Sequence, residues 1–259
     1  MWAAYVVAGE LAVSLVGSIA WIRRATPGAE YTALHLTPRP PRGWFWRGYH
    51  VVCLLFFFSV LVAELVQTRG RSLGFYTCWN FALQTTYWAW AICDVSRTSR
   101  GRRLLLDVAF PNSLLVLTVV WLILYPRAQA GGWADKFLNE LSYIQHGGNV
   151  VFLAVEFAAD PIPMANGGAA LQALFSTTYA IVAWIVHAVT GFWPYPFLKI
   201  ETPSAPLWYA FLLALHFAFF LLVKCIAGAT ARRKAKSRTE SLDAAAASLL
   251  GHDSAGPPV

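Results

Sequence analysis

The sequence contains the largely apolar run LWYAFLLALHFAFFLLVKCI, from Leu207 to Ile226. The run does not alternate polar with apolar residues, and it matches the ~20 residues that a helix needs to cross a bilayer. Backbone amides in hydrocarbon must be paired within a helix or a closed barrel, and a continuous run favours the helix. The sequence therefore predicts a membrane-spanning helix at this position.

The composition of the whole chain agrees with this interpretation. Of its 259 residues, 58% are hydrophobic and only 13% are charged, which is too little polar surface to cover a water-soluble globule. The formal net charge of +7 comes from short basic clusters between apolar runs, without a nucleic-acid-binding motif, so we expect no nucleic-acid partner. The four cysteines form no CxxC pair, and we expect neither a metal ion nor another cofactor.

Seven apolar runs are candidate spans, so the predicted fold class is an all-α, polytopic membrane helix bundle. The runs are Trp2 to Ile22, Tyr49 to Val66, Tyr76 to Cys93, Val108 to Tyr125, Gly147 to Ala159, Ala169 to Val189, and Leu207 to Ile226. The first run lacks a positive region before it and is long enough to span, so we interpret it as a retained helix. The fifth run is short, and it spans only if its helix begins upstream, near Phe137.

The distribution of lysine and arginine predicts the orientation of the bundle. With seven spans and the N-terminus outside, the cytoplasmic segments contain 14 basic residues and the outer segments contain 5, as the positive-inside rule requires. We expect residues 1–238 to form the bundle and residues 239–259, which end in Gly-Pro-Pro, to form a disordered cytoplasmic tail. Both the endoplasmic reticulum and the plasma membrane are compatible with these spans.

Polar side chains at membrane depth are the candidates for function, because an unpaired one there costs free energy and usually faces the bundle interior. Thr77, Asn80 and Gln84 share one face of the third span. His146, Asn149 and Glu156 share one face of the fifth span. Thr77 and His146 each begin a span entered from outside, so both lie at the same depth. A hydroxyl needs a nearby base to act as a nucleophile, and this pair provides the two groups.

Three segments carry a resemblance to a known family. They are FYTCWNFALQTTYWAW (Phe75 to Trp90), HGGNVVFLAVEF (His146 to Phe157) and VHAVTGFWPYPFL (Val186 to Leu198). In order and spacing they resemble the androgen-induced-gene and ADTRP family of membrane proteins. The stretch SAPLWYAFLLALH (Ser204 to His216) is similar to the plant and protist relatives of that family. The resemblance begins near Gly74 and ends near Ile226.

The resemblance implies a six-span core preceded here by one further N-terminal span, and an intramembrane threonine hydrolase. Animal members cleave fatty acid esters of hydroxy fatty acids, and the family threonine and histidine match Thr77 and His146. Glu156 falls where the family has an acidic residue, and His187 matches a family histidine. The expected partners are therefore the membrane and a lipid substrate within it.

Other functions remain open at this point. Asn80 and Asn149 are both candidate oxyanion donors, and Glu156 and His187 are candidates to support the site. The alternative to an enzyme is a lipid-binding or signalling membrane protein, whose polar residues only join helices through hydrogen bonds. His187, His216, Glu10 and Glu64 fit that structural role best. A transporter is a third possibility, but no paired Gly/Pro-broken spans support it.

Overall fold

The computed structural model describes residues 2–24, 43–159 and 164–253, and most of these residues are helical. No strand occurs within these ranges. The long helices are α1 (Trp2–Arg24), α2 (Trp44–Thr68), α3 (Tyr76–Cys93), α4 (Arg100–Ala130), α5 (residues 140–159), α6 (Gly167–Thr190) and α7 (Ala205–Asp253). The predicted all-helical class of fold is confirmed.

Five helices, namely α1, α2, α4, α6 and the first part of α7, are long and apolar enough to cross a membrane. The other two carry the polar faces on which the sequence analysis concentrated. Helix α3 has 18 residues and bounds identical to the predicted run. Helix α5 consists of three consecutive pieces of 4, 5 and 11 residues, the middle one a π-helix from Ile144 to Gly148.

Helix α5 begins at Glu140, upstream of the apolar run that starts at Gly147. The Asn139 side chain caps this earlier start by accepting a hydrogen bond of 2.9 Å from the Ser142 amide. Ser142 and Gln145 in the added segment are buried, and the Gln145 amide donates to the Glu64 carboxylate of α2. The predicted boundary was therefore wrong, while the predicted upstream extension of the helix is present.

Helix α4 also begins earlier than its apolar run, at Arg100 instead of Val108. The Ser99 side chain caps the helix, and its first two turns bury the charged residues Arg102, Arg103 and Asp107. Arg103 Nε lies 2.8 Å from Asp107 Oδ1, one turn further along. The sequence analysis was wrong about this start because it treated these charges as part of a loop.

Helix α5 runs antiparallel along α4. Near its start, the His146 carbonyl accepts a hydrogen bond of 3.1 Å from Trp121 Nε1, late in α4. Near its end, Glu156 contacts Arg102, early in α4. The two helices therefore follow each other over most of the length of α5. The predicted fifth span stays a prediction, because α5 is not among the five helices that are long and apolar enough to cross a membrane.

Some of the expected features lie outside the described residues. The loop arginines Arg39 and Arg42 fall in the range 25–42, and the last six residues, 254–259, also fall outside. Helix α7 continues to Asp253. The disorder and the cytoplasmic location of the tail, residues 239–259, stay predictions.

Candidate functional site

A cavity of about 470 Å³ lies at the end of the bundle where α3 begins. Its walls are mostly apolar and come from α1, α3, α4, α6, α7 and the segment that precedes α7. Val13 of α1 and Ala210 and Ala214 of α7 line this cavity and are exposed on the surface of the bundle. The cavity therefore opens sideways between α1 and α7, and its volume is in the range of small-molecule sites.

Thr77 lies in this cavity, half-buried, in the first turn of α3. The first amides of a helix have no partner within it, and here the Tyr195 hydroxyl oxygen accepts a hydrogen bond of 3.0 Å from the Tyr76 N–H. Burial raises the pKa of Tyr195 to about 12, although hydrogen bonds from the Thr77 amide and hydroxyl act to lower it. The Thr77 hydroxyl thus lies beside a neutral phenol at a helix N-terminus.

His146 lies in the π-helical segment of α5, which packs against α3. Its Nδ1 lies 2.9 Å from Ser142 Oγ, one turn earlier in the helix, and its ring lies beside Phe137. Among the described residues that line the cavity, Thr77 is present and His146 is not. The predicted Thr77–His146 pair therefore stays a prediction, supported by the contact between the two helical segments.

The two candidate oxyanion donors differ in their hydrogen bonding. Asn80 Nδ2 donates to Ser113 Oγ at 3.5 Å, and Gln84 Nε2 donates to the same hydroxyl at 3.0 Å. Asn149 is 1% exposed, and within the described chain neither its Nδ2 nor its Oδ1 has a hydrogen-bond partner. Neither asparagine is among the described residues that line the cavity, and of the two Asn149 has the amide nitrogen without a hydrogen bond.

Glu156 has a different environment from the one that a supporting role beside His146 would suggest. Its carboxylate is buried near the end of α5, where Arg102 Nη2 donates at 2.7 Å and Tyr87 O–H at 3.1 Å. His50 Nε2 lies 3.0 Å from its other oxygen. This group of four residues joins α2, α3, α4 and α5, and a role of Glu156 in the reaction stays a prediction.

His187 lies near the end of α6. Its Nε2 is 3.3 Å from Glu201, and its ring stacks on Trp193 with 4.0 Å between the ring centroids. Neither His187 nor Glu156 is among the described residues that line the cavity. A contribution of His187 to the site therefore also stays a prediction.

Two polar contacts were missed by the sequence analysis. Ser142 lies one turn before His146, a spacing that the sequence shows once the helix is known to begin at Glu140. His216 lines the cavity, where its Nε2 lies 3.0 Å from the Tyr76 hydroxyl and its Nδ1 lies 2.6 Å from the Leu212 carbonyl. Because a carbonyl oxygen can only accept, Nδ1 carries the proton and Nε2 accepts from Tyr76. No local pattern pairs these two residues.

No group of three or more His, Cys, Asp and Glu side chains in the described ranges could hold a metal ion. The polar side chains that line the cavity carry hydroxyl, imidazole and carboxyl groups. Together, the apolar helices and the cavity define a multi-pass membrane protein with a cavity that opens to the side of the bundle.

The chain belongs to the FAR-17a/AIG1-like protein family, whose model matches residues 45–228. It is similar to the human (Homo sapiens) androgen-induced gene 1 protein, with 28% identity over 108 residues. That alignment covers 38% of this chain and 43% of the relative, so it spans less than half of either protein. No solved structure matches the chain. The resemblance found in the sequence is therefore confirmed, and α1 precedes the matched region.

Proposed function

We propose that this protein is an integral-membrane lipid ester hydrolase, acting on fatty acid esters of hydroxy fatty acids or similar esters. The observation that carries the proposal is the position of Thr77, whose hydroxyl lies at a helix N-terminus in an apolar cavity open to the side of the bundle. A lipid can enter such a cavity from the bilayer without crossing water. The Thr77 hydroxyl then lies beside the acyl chain of the lipid that carries the ester.

In this mechanism Thr77 Oγ1 attacks the ester carbonyl while His146 accepts its proton. In this role His146 Nδ1–H donates to Ser142 Oγ, 2.9 Å away, so that Nε2 can accept the proton. His146 then returns the proton to the alcohol oxygen as the ester bond breaks, and Thr77 keeps the acyl group. Water, deprotonated by His146, attacks the acyl carbon, and the Thr77 oxygen leaves and takes the proton back.

The tetrahedral intermediate places a negative charge on the former carbonyl oxygen, and this charge needs a donor. Asn149 supports this role better than Asn80, because the Asn149 amide has no partner within the described chain and Asn80 already donates to Ser113. The N-terminus of α3 adds a second favourable contribution, since its dipole is positive at that end. Both groups lie on the helices that carry the proposed nucleophile and base.

The test is hydrolysis of a fatty acid ester of a hydroxy fatty acid in membranes matched for expressed protein. Thr77→Ala should lower the rate by about 10³-fold or more, because residues that act as a unit lose nearly all activity together. Thr77→Ser keeps the hydroxyl and should retain part of the rate. Thr86→Ala is the matched control, because Thr86 lies on the same helix and is exposed, with its hydroxyl bonded to the Ala82 carbonyl.

The identity of the base is tested separately. His146→Ala should be as inactive as Thr77→Ala, and the double variant no worse than either. His216→Gln should keep most of the activity if His216 only supports Tyr76. Full activity of Thr77→Ala would eliminate Thr77 as the nucleophile. If His216→Gln loses activity while His146→Ala keeps it, His216 is the base and His146 is not.

A second candidate function is lipid binding without catalysis. It is favoured by one observation, that Thr77 lines the cavity while His146 is not among its described lining residues. Labelling of the purified protein by a lipophilic fluorophosphonate separates the two functions. An enzyme should be labelled at Thr77, and a binding protein should not be labelled although it still takes up lipid.

A further inference from the structure

Helix α1 lies outside the region that the family model matches, yet it forms one wall of the cavity. It packs against α6 and α7 and contributes Glu10, Leu11, Val13 and Ser14 to the lining. Because Val13 is exposed at the opening, a lipid that enters between α1 and α7 passes this helix first. The contacts that α1 offers therefore influence which lipids the cavity accepts.

Glu10 presents an acceptor without a partner. Its Oε2 is buried, and within the described chain it forms no hydrogen bond. The aromatic hydroxyls in the same cavity are bonded, for example Tyr179 O–H to the Gly74 carbonyl at 2.9 Å and Tyr209 O–H to the Leu198 carbonyl at 3.1 Å. A buried polar atom of this kind is normally bonded in the functional state. A ligand that donates a hydrogen bond would complete the site.

Ser14 presents the complementary group one helical turn from Glu10. Its Oγ lies 2.7 Å from Thr177 Oγ1 of α6. A bond between two hydroxyls uses only one of their two hydrogens, so the pair keeps one O–H to donate. The α1 side of the cavity thus offers an acceptor at Glu10 and a donor at the Ser14–Thr177 pair.

We propose that α1 forms a recognition subsite for a lipid that carries a free hydroxyl group. The lipid hydroxyl donates to Glu10 Oε2, and its oxygen accepts from the Ser14–Thr177 pair. A hydroxyl matches both groups because it donates and accepts. An ammonium cannot accept from the pair, an ionised carboxylate has no hydrogen for Glu10, and an ether or ester oxygen lacks the donor. The subsite is a binding property that does not depend on Thr77.

The test measures binding of oleyl alcohol and of its methyl ether to the purified full chain in phosphatidylcholine nanodiscs. Tritiated oleyl alcohol gives the dissociation constant of the alcohol, and displacement gives that of the ether. The alcohol should bind about tenfold more tightly, the value expected for one further hydrogen bond. Neither ligand contains an ester bond, so the result is separate from whether the protein hydrolyses lipids.

Substitutions of the acceptor, Glu10, and of the donor, the Ser14–Thr177 pair, should change the two dissociation constants differently. Glu10→Leu should bring the ratio of the two dissociation constants close to one and leave the affinity for the ether unchanged. The double variant Ser14→Ala with Thr177→Val should weaken both ligands, because both have an accepting oxygen, and keep the ratio. Ala12→Leu is the control on an exposed position of the same helix and should change neither.

Glu10→Gln keeps the shape of the side chain and decides the question if Glu10→Leu does not elute as a folded protein. In this variant the preference for the alcohol over the ether should be smaller than in the wild type. The reason is that an amide oxygen accepts a hydrogen bond from the lipid hydroxyl more weakly than a carboxylate does. The proposal is overturned if the wild type binds alcohol and ether within twofold of each other. The proposal is also overturned if the wild type shows no saturable binding of the alcohol. It is overturned as well if folded Glu10 variants keep the wild-type ratio of the two dissociation constants.

Discussion

Replacing Glu156 with leucine should destabilise the protein more than any single surface change. The carboxylate is 1% exposed and lies 2.7 Å from Arg102 Nη2, with Tyr87 and His50 as further partners. Removing one partner of a buried ion pair costs about 3–5 kcal/mol, because the remaining charge stays buried. Asp94 gives Arg102 little compensation, since the closest approach between the two is 3.8 Å.

This loss of free energy of unfolding lowers the melting temperature. For a chain of this size each kcal/mol lowers the melting temperature by about 2–4 °C. Glu156→Leu should therefore melt about 6–20 °C below the wild type. Arg102→Met should lose a similar amount, because it leaves the Glu156 carboxylate buried without its closest cationic partner.

The double variant distinguishes a charge pair from general damage to packing. When both charges are replaced with apolar groups, neither charge of this pair is left buried without its partner, and such replacements are often neutral. The double variant should therefore melt no lower than either single variant. The coupling free energy should be about 3 kcal/mol or more in favour of the double variant.

The assay is thermal unfolding of the purified protein in one detergent, followed by tryptophan fluorescence. The matched control is Glu240→Leu, since Glu240 pairs with Lys236 at 3.8 Å on an exposed part of α7. Exposed pairs contribute about 0–1 kcal/mol, so the control should shift the melting temperature by less than about 4 °C. Additive effects of Glu156→Leu and Arg102→Met would refute the reasoning.

Three further predictions concern the base, the helix packing and the topology. Ser142→Ala should lower hydrolysis by about tenfold with little change in KM, because it removes one neutral hydrogen bond from His146; an unchanged kcat would exclude the orienting role. Gly168→Ala should destabilise by about 1–3 kcal/mol, since a Cβ there would lie 2.9 Å from Phe220 Cε2, whereas Gly9→Ala has nothing within 4 Å and should not; equal melting temperatures would contradict this. Tags at the two termini should differ in protease access in intact cells, with the C-terminal tag cytoplasmic; equal access would mean an even number of spans.

The sequence by itself determined the class of fold and the bounds of helix α3. Long apolar runs have no alternative to helices in hydrocarbon, and α3 occupies the predicted range Tyr76–Cys93. The order and spacing of the short segments around Thr77 and His146 were also sufficient to indicate the family. These features are local, so a reading of neighbouring residues is sufficient to find them.

Helix starts were predicted less well where charges are buried. Arg102 and Arg103 looked like part of a cytoplasmic loop, yet both are buried in α4 and paired with carboxylates. Whether a charge is solvated or paired depends on its partners. Glu156, which pairs with Arg102, is 54 residues further along the chain, and no local pattern reports such a contact.

The tertiary structure alone decided the composition of the cavity. Tyr76 and His216 meet across 140 residues of sequence, and Ser14 and Thr177 meet across 163. Helical periodicity shows which side chains share a face, but it does not show which faces are neighbours. Sequence reasoning therefore assigned Glu10 and His216 to packing. The packing of α1 against α6 and α7 placed Glu10 and His216 in the cavity that contains Thr77. Which helices are neighbours is decided by how their side chains pack together, and the residue pattern along one helix does not contain that information.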